Sequence, residues 1–307
     1  MIRLHPEIAD ALNHVPPFDP LADPAATRMY LRSLLAAKPP TDDPRIAVGH
    51  TTVPGPAGDL TVRIYRPTDA RPGPRPGVLY FHGGAFISGD LDTGDGNCRD
   101  LCLAAGAVVV SVDYRLAPEH PYPAAFDDCY AALLWTAGHA DDLGIDPARL
   151  AVAGRSAGGT LAAAVALATR DRGGPALAFQ LLLVPALDDR CEQPSVDECV
   201  DDRIVDGRVV RGMWKLYLDS GAATPYAAPA RAEDLTGLPP AYLEVCQADA
   251  LRDEALAYAH RLIAADVHTE LHLVPGAFHL FEGYAPTTHL ARRTTTAWTE
   301  AIASALR

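Results

Sequence analysis

Lysine is almost missing from this chain: Lys38 and Lys215 are the only two among 26 basic residues. With abundant alanine, that bias reflects a GC-rich genome more than a task. Positive charge as a whole is in deficit, because 39 acidic groups leave a formal charge of −13 on 307 residues. Nucleic acid and anionic membrane surfaces are therefore poor partners. Cysteine is scarce as well. Cys98, Cys102, Cys129, Cys191, Cys199 and Cys246 are too few for a disulfide scaffold and contain no C-x-x-C pair. Cys191 and Cys199 share a loop-rich stretch and could approach each other, but a cytosolic setting disfavours a bridge.

Long hydrophobic runs are also lacking. The most apolar stretch, residues 161–168, falls far short of the roughly 20 residues that a spanning helix needs. The first residues, MIRLHPEIADALNHVPP, are interrupted by Asp10, Asn13 and two prolines, which leaves no apolar core for a secretory signal. A cytoplasmic protein without a membrane span is expected. Proline and glycine together make about 17% of the chain, below the roughly 25–30% of low-complexity sequence. What is present is ordinary: 49% hydrophobic and 21% charged residues, enough for the core of one large or two modest domains.

Strand-like runs recur at residues 60–66, 78–82, 107–113, 150–154, 179–185, 241–246 and 270–275. Several are continuously apolar, as suits strands covered on both faces of a mostly parallel sheet. Helical patterns lie between or after them at 125–139, 157–172, 252–265 and 289–306. Strand then helix, repeated, predicts an α/β doubly wound domain with helices on both faces. Two regions break the rhythm. Residues 1–45 read as two short helical pieces divided by a Pro-rich stretch and closed by Lys38-Pro39-Pro40. Residues 191–225 form an insertion rich in acidic groups, with a helix candidate at 209–218 whose Met213, Trp214, Tyr217 and Leu218 make a lipophilic face. Core packing and a lid over a pocket both account for that face.

Gly154-Arg155-Ser156-Ala157-Gly158 fits G-x-S-x-G. The run LAVAG before it reads as a strand and AGGTLAAAVALA after it as a helix, which is the strand-turn-helix setting of a nucleophile elbow. With 24 glycines and 7 serines in 307 residues, roughly 0.04 random matches are expected. A serine hydroxyl is a poor nucleophile at neutral pH, so it needs a base, an orienting acid and donors for the oxyanion. His82-Gly83-Gly84-Ala85-Phe86 follows a strand, and the N–H groups of Gly83, Gly84 and Ala157 are candidates for an oxyanion hole. Asp249 and His279 each follow a later strand, in the chain order Ser, Asp, His. Asp253 and Glu254 are rival acids, expected to cap a helix or face solvent. His268 and His272 are rival bases, expected to be structural. No metal or cofactor is indicated.

These residues together resemble the hormone-sensitive-lipase-like carboxylesterases, the bacterial esterase family IV. The resemblance rests on HGGAF at 82–86, DYRLAPEHPYPAA at 113–125, GRSAGG at 154–159, Leu238-Pro239-Pro240, DALRDEALAYAHRL at 249–262 and GAFHLFEGY at 276–284. Six motifs in order cover residues from about 50 to 285. The resemblance implies an α/β-hydrolase fold, with 46–190 and 226–307 as the catalytic domain and 1–45 and 191–225 as two parts of a cap. It places the nucleophile at Ser156, the acid at Asp249, the base at His279 and the oxyanion donors at Gly83, Gly84 and Ala157.

A serine esterase acting on short- to medium-chain acyl esters is then expected, with Phe86, Trp214 and Tyr217 lining the substrate site. An acyltransferase, a lyase or a non-catalytic receptor on the same fold are the alternatives. The resemblance also implies a homodimer, with the strand at 270–274 as its edge. Two departures stand out. Arg155 replaces the acidic residue usual before the nucleophile, a reversal expected to alter cap contacts or pH dependence. Ala85 replaces the third glycine of HGGG, a variant associated with bulky alcohol parts.

Overall fold

The computed structural model describes residues 3–15, 19–36 and 42–307. The Lys38-Pro39-Pro40 break lies outside these. Eight strands form one sheet: β1 (Ile46–Gly55), β2 (Gly58–Pro67), β3 (Arg75–Phe81), β4 (Val108–Val112), β5 (Ile145–Arg155), β6 (Phe179–Leu183), β7 (Ala241–Ala248) and β8 (Thr269–Phe278). Their order is β1-β2-β4-β3-β5-β6-β7-β8. From β4 to β8 every pairing is parallel, and β1 and β2 add an antiparallel hairpin at one edge. The helices are α1 (Pro6–Ala9), α2 (Pro24–Ala36), α3 (Asp95–Ala105), α4 (Ala124–Gly138), α5 (Ala140–Leu143), α6 (Ala157–Asp171), α7 (Pro194–Glu198), α8 (Gly207–Leu218), α9 (Arg252–Ala264), α10 (Phe281–Tyr284) and α11 (His289–Ala305).

The apolar runs have the cause expected of them. All five residues of β4 and of β6 are buried, and so are six of the seven of β3. Helices cover both faces of these strands. On one face α4, α6 and α9 pack with Phe81, Leu79, Val110 and Val152, and on the other α3 and α11 pack with Tyr65, Tyr80, Ala151 and Ala153. Helix α6 is buried at all but two of its positions, which explains why its sequence reads as small and apolar on every side.

Of the longer elements, β1 and α3 escaped the sequence reading. Strand β1 is exposed at most positions, so its IAVGHTTVPG shows no apolar alternation; it forms because the Pro56-Ala57 turn folds it back on β2 in register from Gly55↔Gly58 to Ile46↔Pro67. Helix α3 carries buried Cys98, Leu101 and Cys102 at i, i+3, i+4, and Gly106, at φ 59°, closes it in the left-handed conformation. That signal was present in the sequence but lay hidden among polar residues.

The two segments outside the repeating pattern meet each other and the sheet. In α8, Asp206 caps the N-terminus by accepting from the N–H groups of Arg208 and Val209, while Val210, Met213, Trp214 and Tyr217 are buried. Gly212 of this helix is in close contact with Leu21 of the N-terminal segment, where an added Cβ would lie 2.2 Å from Leu21 Cδ1. Helix α2 buries only Thr27 and is held instead by Arg28. The Arg28 guanidinium donates to the carbonyls of Ile87 (2.6 Å) and Ala117 (2.8 Å) and to both oxygens of Glu119 (2.9 and 2.7 Å). One side chain thereby ties the N-terminal helix to the loops after β3 and β4. Among the described residues no helix is long and apolar enough to cross a membrane.

Candidate active site

Sheet order brings the candidate residues together at the carboxyl ends of the strands, where open α/β sheets place their ligands. Parallel β3 and β5 are neighbours, with Phe81 opposite Gly154, so the loop beginning at His82 runs beside the turn at Ser156. Parallel β7 and β8 are neighbours, with Ala248 opposite Phe278, so Asp249 and His279 leave the sheet side by side.

The turn between β5 and α6 has little freedom. Ser156 sits at φ 55°, ψ −120°, a conformation that L-residues avoid. Crowding around it shows why glycines flank it. A Cβ on Gly158 would lie 1.9 Å from the Phe81 carbonyl oxygen, and one on Gly154 would lie 2.0 Å from that of Gly158. The Ser156 N–H donates to the Leu183 carbonyl of β6 at 2.8 Å, fixing the turn to the next strand.

Ser156, Asp249 and His279 are all buried, at 5%, 2% and 2% exposure. His279 Nε2 lies 3.0 Å from Ser156 Oγ, and His279 Nδ1 lies 2.7 Å from Asp249 Oδ2. The second carboxylate oxygen, Asp249 Oδ1, accepts from the Leu251 N–H at 3.0 Å. An acid accepting at Nδ1 requires the proton there, so Nε2 is left as a lone pair facing the hydroxyl. The arrangement can draw a proton from Ser156 and hold the resulting imidazolium beside a buried carboxylate.

Gly83, Gly84 and Ala157 meet the same turn. A Cβ on Gly83 would lie 2.9 Å from the Arg155 carbonyl oxygen and 3.5 Å from Ser156 Cβ. The Gly84 carbonyl accepts from the N–H groups of Ile87 and Ser88 and from Ser88 Oγ, whereas among the described residues the N–H groups of Gly83, Gly84 and Ala157 donate to no protein acceptor. Unspent donors beside a serine hydroxyl are what an oxyanion requires.

His82 and Tyr114 support this loop, and the sequence reading assigned neither a role. Tyr114 Oη donates to the His82 carbonyl at 2.6 Å, and its ring stacks on the His82 imidazole with centroids 4.2 Å apart. His82 Nδ1 is 2.8 Å from the Gly83 carbonyl, so it carries the proton. The only signals were the positions of both residues inside the HGGAF and DYRLAPEH blocks.

The rivals fall elsewhere, and two expectations, for Glu254 and Arg155, need correction. His272 pairs with Glu270 at 2.8 Å on the outer edge of the sheet, and His268 is exposed. Asp253 accepts from the Ser195 N–H at 2.9 Å and pairs with Arg252. Glu254, however, neither caps nor faces solvent: it is 1% exposed and accepts from the Leu187 N–H at 2.6 Å. Burial raises its carboxyl well above the ordinary range, and it braces the loop after β6. Among the described residues Arg155 makes no cap contact, turning instead to Glu282 and Glu244. Cys191 and Cys199 are free thiols bonded to separate backbone carbonyls.

Phe86, Trp214 and Tyr217 are buried and packed on one another. The Phe86 and Tyr217 rings stack with centroids 3.8 Å apart, and Trp214 lies 5.5 Å from Phe86. Among the described residues Trp214 Nε1 and Tyr217 Oη have no hydrogen-bond partner.

Residues 78–283 match a protein family described by its alpha/beta hydrolase fold. The chain is 46% identical over 246 residues to Esterase LipI of Mycobacterium tuberculosis, covering 79% of this chain and 77% of that protein. It is 35% identical over 228 residues to an ethyl acetate hydrolase of Pseudomonas putida, covering 72% of this chain and 71% of that one. Among solved structures it is similar to a bacterial heroin esterase, with a TM-score of 0.95 and 40% identity across 99% of this chain and 98% of the other.

The support beneath the Gly83-Gly84 loop has a measurable signature. Burial lowers the His82 imidazole from 6.5 to about 4, so between those values the unfolded chain binds a proton that the folded chain refuses. Stability is expected to fall as pH falls through that window, by roughly 3 kcal/mol from this residue. Urea unfolding of the wild type and of His82→Asn across the window checks it: the variant should lose that share of the pH dependence.

Proposed function

Because the chain belongs to the alpha/beta hydrolase fold family and is a carboxylic ester hydrolase, we propose that Ser156, His279 and Asp249 perform the hydrolysis. The observation that carries this reading is the unbroken hydrogen-bond chain from Ser156 Oγ through the imidazole to Asp249. His279 Nε2 takes the hydroxyl proton as Oγ attacks the ester carbonyl carbon. The developing oxyanion is received by the N–H groups of Gly83, Gly84 and Ala157. The imidazolium then gives its proton to the departing alcohol oxygen, leaving an acyl-enzyme. Water attacks that ester with His279 as base, and the carboxylic acid leaves as Ser156 Oγ recovers its proton.

In this proposal residues 46–190 and 226–307 are the catalytic domain, and 1–45 with 191–225 form one cap over the carboxyl ends of the strands. The contact of Leu21 with Gly212 and the hold of Arg28 on the Ile87 and Ala117 carbonyls support it. Phe86, Trp214 and Tyr217 wall the acyl side, a tight aromatic surface without charge that favours short- to medium-chain acyl groups. The relative named ethyl acetate hydrolase is consistent with a small ester. Residence in the reducing cytoplasm fits six free thiols. A homodimer through β8 is supported by its place at the sheet edge and by the exposure of Leu271 (37%) and Leu273 (45%).

Replacement Ser156→Ala should lower turnover of p-nitrophenyl butyrate by on the order of 10⁴-fold or more while leaving the thermal unfolding midpoint near that of the wild type; undiminished turnover would remove the nucleophile from this scheme. Across p-nitrophenyl esters of increasing length, kcat/KM is expected to decline beyond about eight acyl carbons, and a preference for palmitoyl esters would contradict the proposed wall. Sedimentation velocity at micromolar concentration should give a dimer that Leu273→Lys converts to a monomer. A wild-type monomer would refute the β8 interface.

A further inference from the structure

Behind the proposed triad lies a buried cluster that the reaction scheme does not use. Arg155, at the end of β5, directly precedes Ser156. Its side chain is 14% exposed and pairs through Nη2 with Glu282 Oε2, itself 9% exposed. Glu282 belongs to α10, three residues after His279. Glu244 of β7 stands 4.0 Å from the same Nη2 and is fully buried.

The topology gives this pair its interest. Strands β5 and β8 do not touch, because β6 and β7 lie between them. Three inter-strand steps of about 4.8 Å separate their axes by roughly 14 Å, and the catalytic hydrogen bond must form across that gap. The segments at the two strand ends are joined there by two links: Ser156 to His279, and, one and three residues away, Arg155 to Glu282. The first is a single 3.0 Å contact that must break and reform in every cycle. The second is an ion pair shielded from water, with a guanidinium that stays charged at any working pH.

Two carboxyls face one cation here, and among the described residues neither oxygen of Glu244 has a hydrogen-bond donor other than what the Glu282 carboxyl can share. Burial, then repulsion from Glu282, raises Glu244 well above the ordinary range. A protonated Glu244 lets Arg155 balance Glu282 alone, and the cluster is then neutral.

We propose that Arg155 is a positioning residue for ester hydrolysis, which through Glu282 holds the segment carrying His279 against the elbow carrying Ser156. The proposal rests on the triad reading above. Arginine is suited to the place that an acidic residue usually takes, because an acid at 155 would face two further carboxyls. A residue that only neutralised buried charge would affect folding. One that positions affects the catalytic step in enzyme that is already folded.

The test is steady-state hydrolysis of p-nitrophenyl butyrate by Arg155→Met, Arg155→Lys, Glu282→Gln and the double variant Arg155→Met/Glu282→Gln. Rates are normalised to competent sites by the p-nitrophenol released on titration with paraoxon. Arg155→Met should lower kcat per titrated site by about 10- to 100-fold, as expected for a small misplacement of reacting groups, with KM nearly unchanged. Arg155→Lys should recover part of the loss. The double variant should lose little more than Arg155→Met alone, because both changes cut one link. Wild-type kcat per titrated site in Arg155→Met, or in both Glu282→Gln and Arg155→Lys if Arg155→Met does not fold, would overturn the proposal and leave a purely structural ion pair. Ser156→Ala in the same assay separates the two levels: activity in that variant defeats the triad reading itself, whereas its inactivity beside an unimpaired Arg155→Met defeats only the positioning role.

Discussion

The close approach of the β5–α6 turn to the end of β3 is the constraint on which the rest of the structure depends. Gly158 lies so near the Phe81 carbonyl that no side chain fits between them, and Gly154 is equally pressed against Gly158. With both side chains gone, the backbone can reverse within a single residue and Ser156 is held at φ 55°. That strain persists because surrounding packing over-determines it: α6 is buried almost throughout, and Leu183 takes the Ser156 N–H. The same contact brings the Gly83-Gly84 loop alongside, since that loop continues from Phe81. One steric condition therefore sets both the presentation of the hydroxyl and the place of the donors facing it. The histidine and acid arrive independently, from the paired ends of β7 and β8.

Much of this was legible in the sequence, for reasons that also mark where legibility ended. Seven of the eight strands carried an apolar signal, and it was strongest in the central ones, which helices cover on both faces. Strand β1 carried none because it is an exposed edge held by its turn and its ladder. The candidate site residues stood out because the proposed chemistry demands particular types at particular strand ends: glycines where backbones touch, a serine at the turn, an acid and a base after later strands. Glu254 could not be read correctly, since a carboxylate in the first turn of a helix looks like a solvated cap until the neighbouring loop is seen to bury it against the Leu187 N–H. Arg155 had the same difficulty. Its partners lie 89 and 127 residues further along the chain, on β7 and α10, and nothing local announces them.

The lid-like face of α8 falls between these cases. Its Met213, Trp214 and Tyr217 were visible as an apolar stripe, and all three are buried. What periodicity cannot tell is whether such a stripe meets protein or substrate, because both are apolar surfaces to the helix. The stacking of Phe86 on Tyr217 joins this stripe to the loop that carries the donor glycines. These rings pack against protein, and among the described residues the unpartnered Trp214 Nε1 and Tyr217 Oη leave polar capacity inside that packing.

The near absence of lysine bears on how the molecule is tied together. Arginine presents a planar fork that can satisfy several acceptors at once, whereas lysine offers a point charge on a flexible stem. Arg28 uses that fork on two backbone carbonyls and a carboxylate, a set spanning the loops after β3 and β4. Arg115 binds both oxygens of buried Asp128 within the block that follows β4. Exposed pairs such as Arg211 with Asp197 contribute little, because water screens them. The buried ones act through geometry, each fixing one loop relative to another at the carboxyl end of the sheet. A lysine buried at 155 could shed its proton and leave the Glu282 carboxylate unbalanced, while a guanidinium keeps its charge under the same burial. A composition that first appeared to reflect only genomic bias therefore supplies the side chain best suited to bridging segments that the β-ladder itself does not connect.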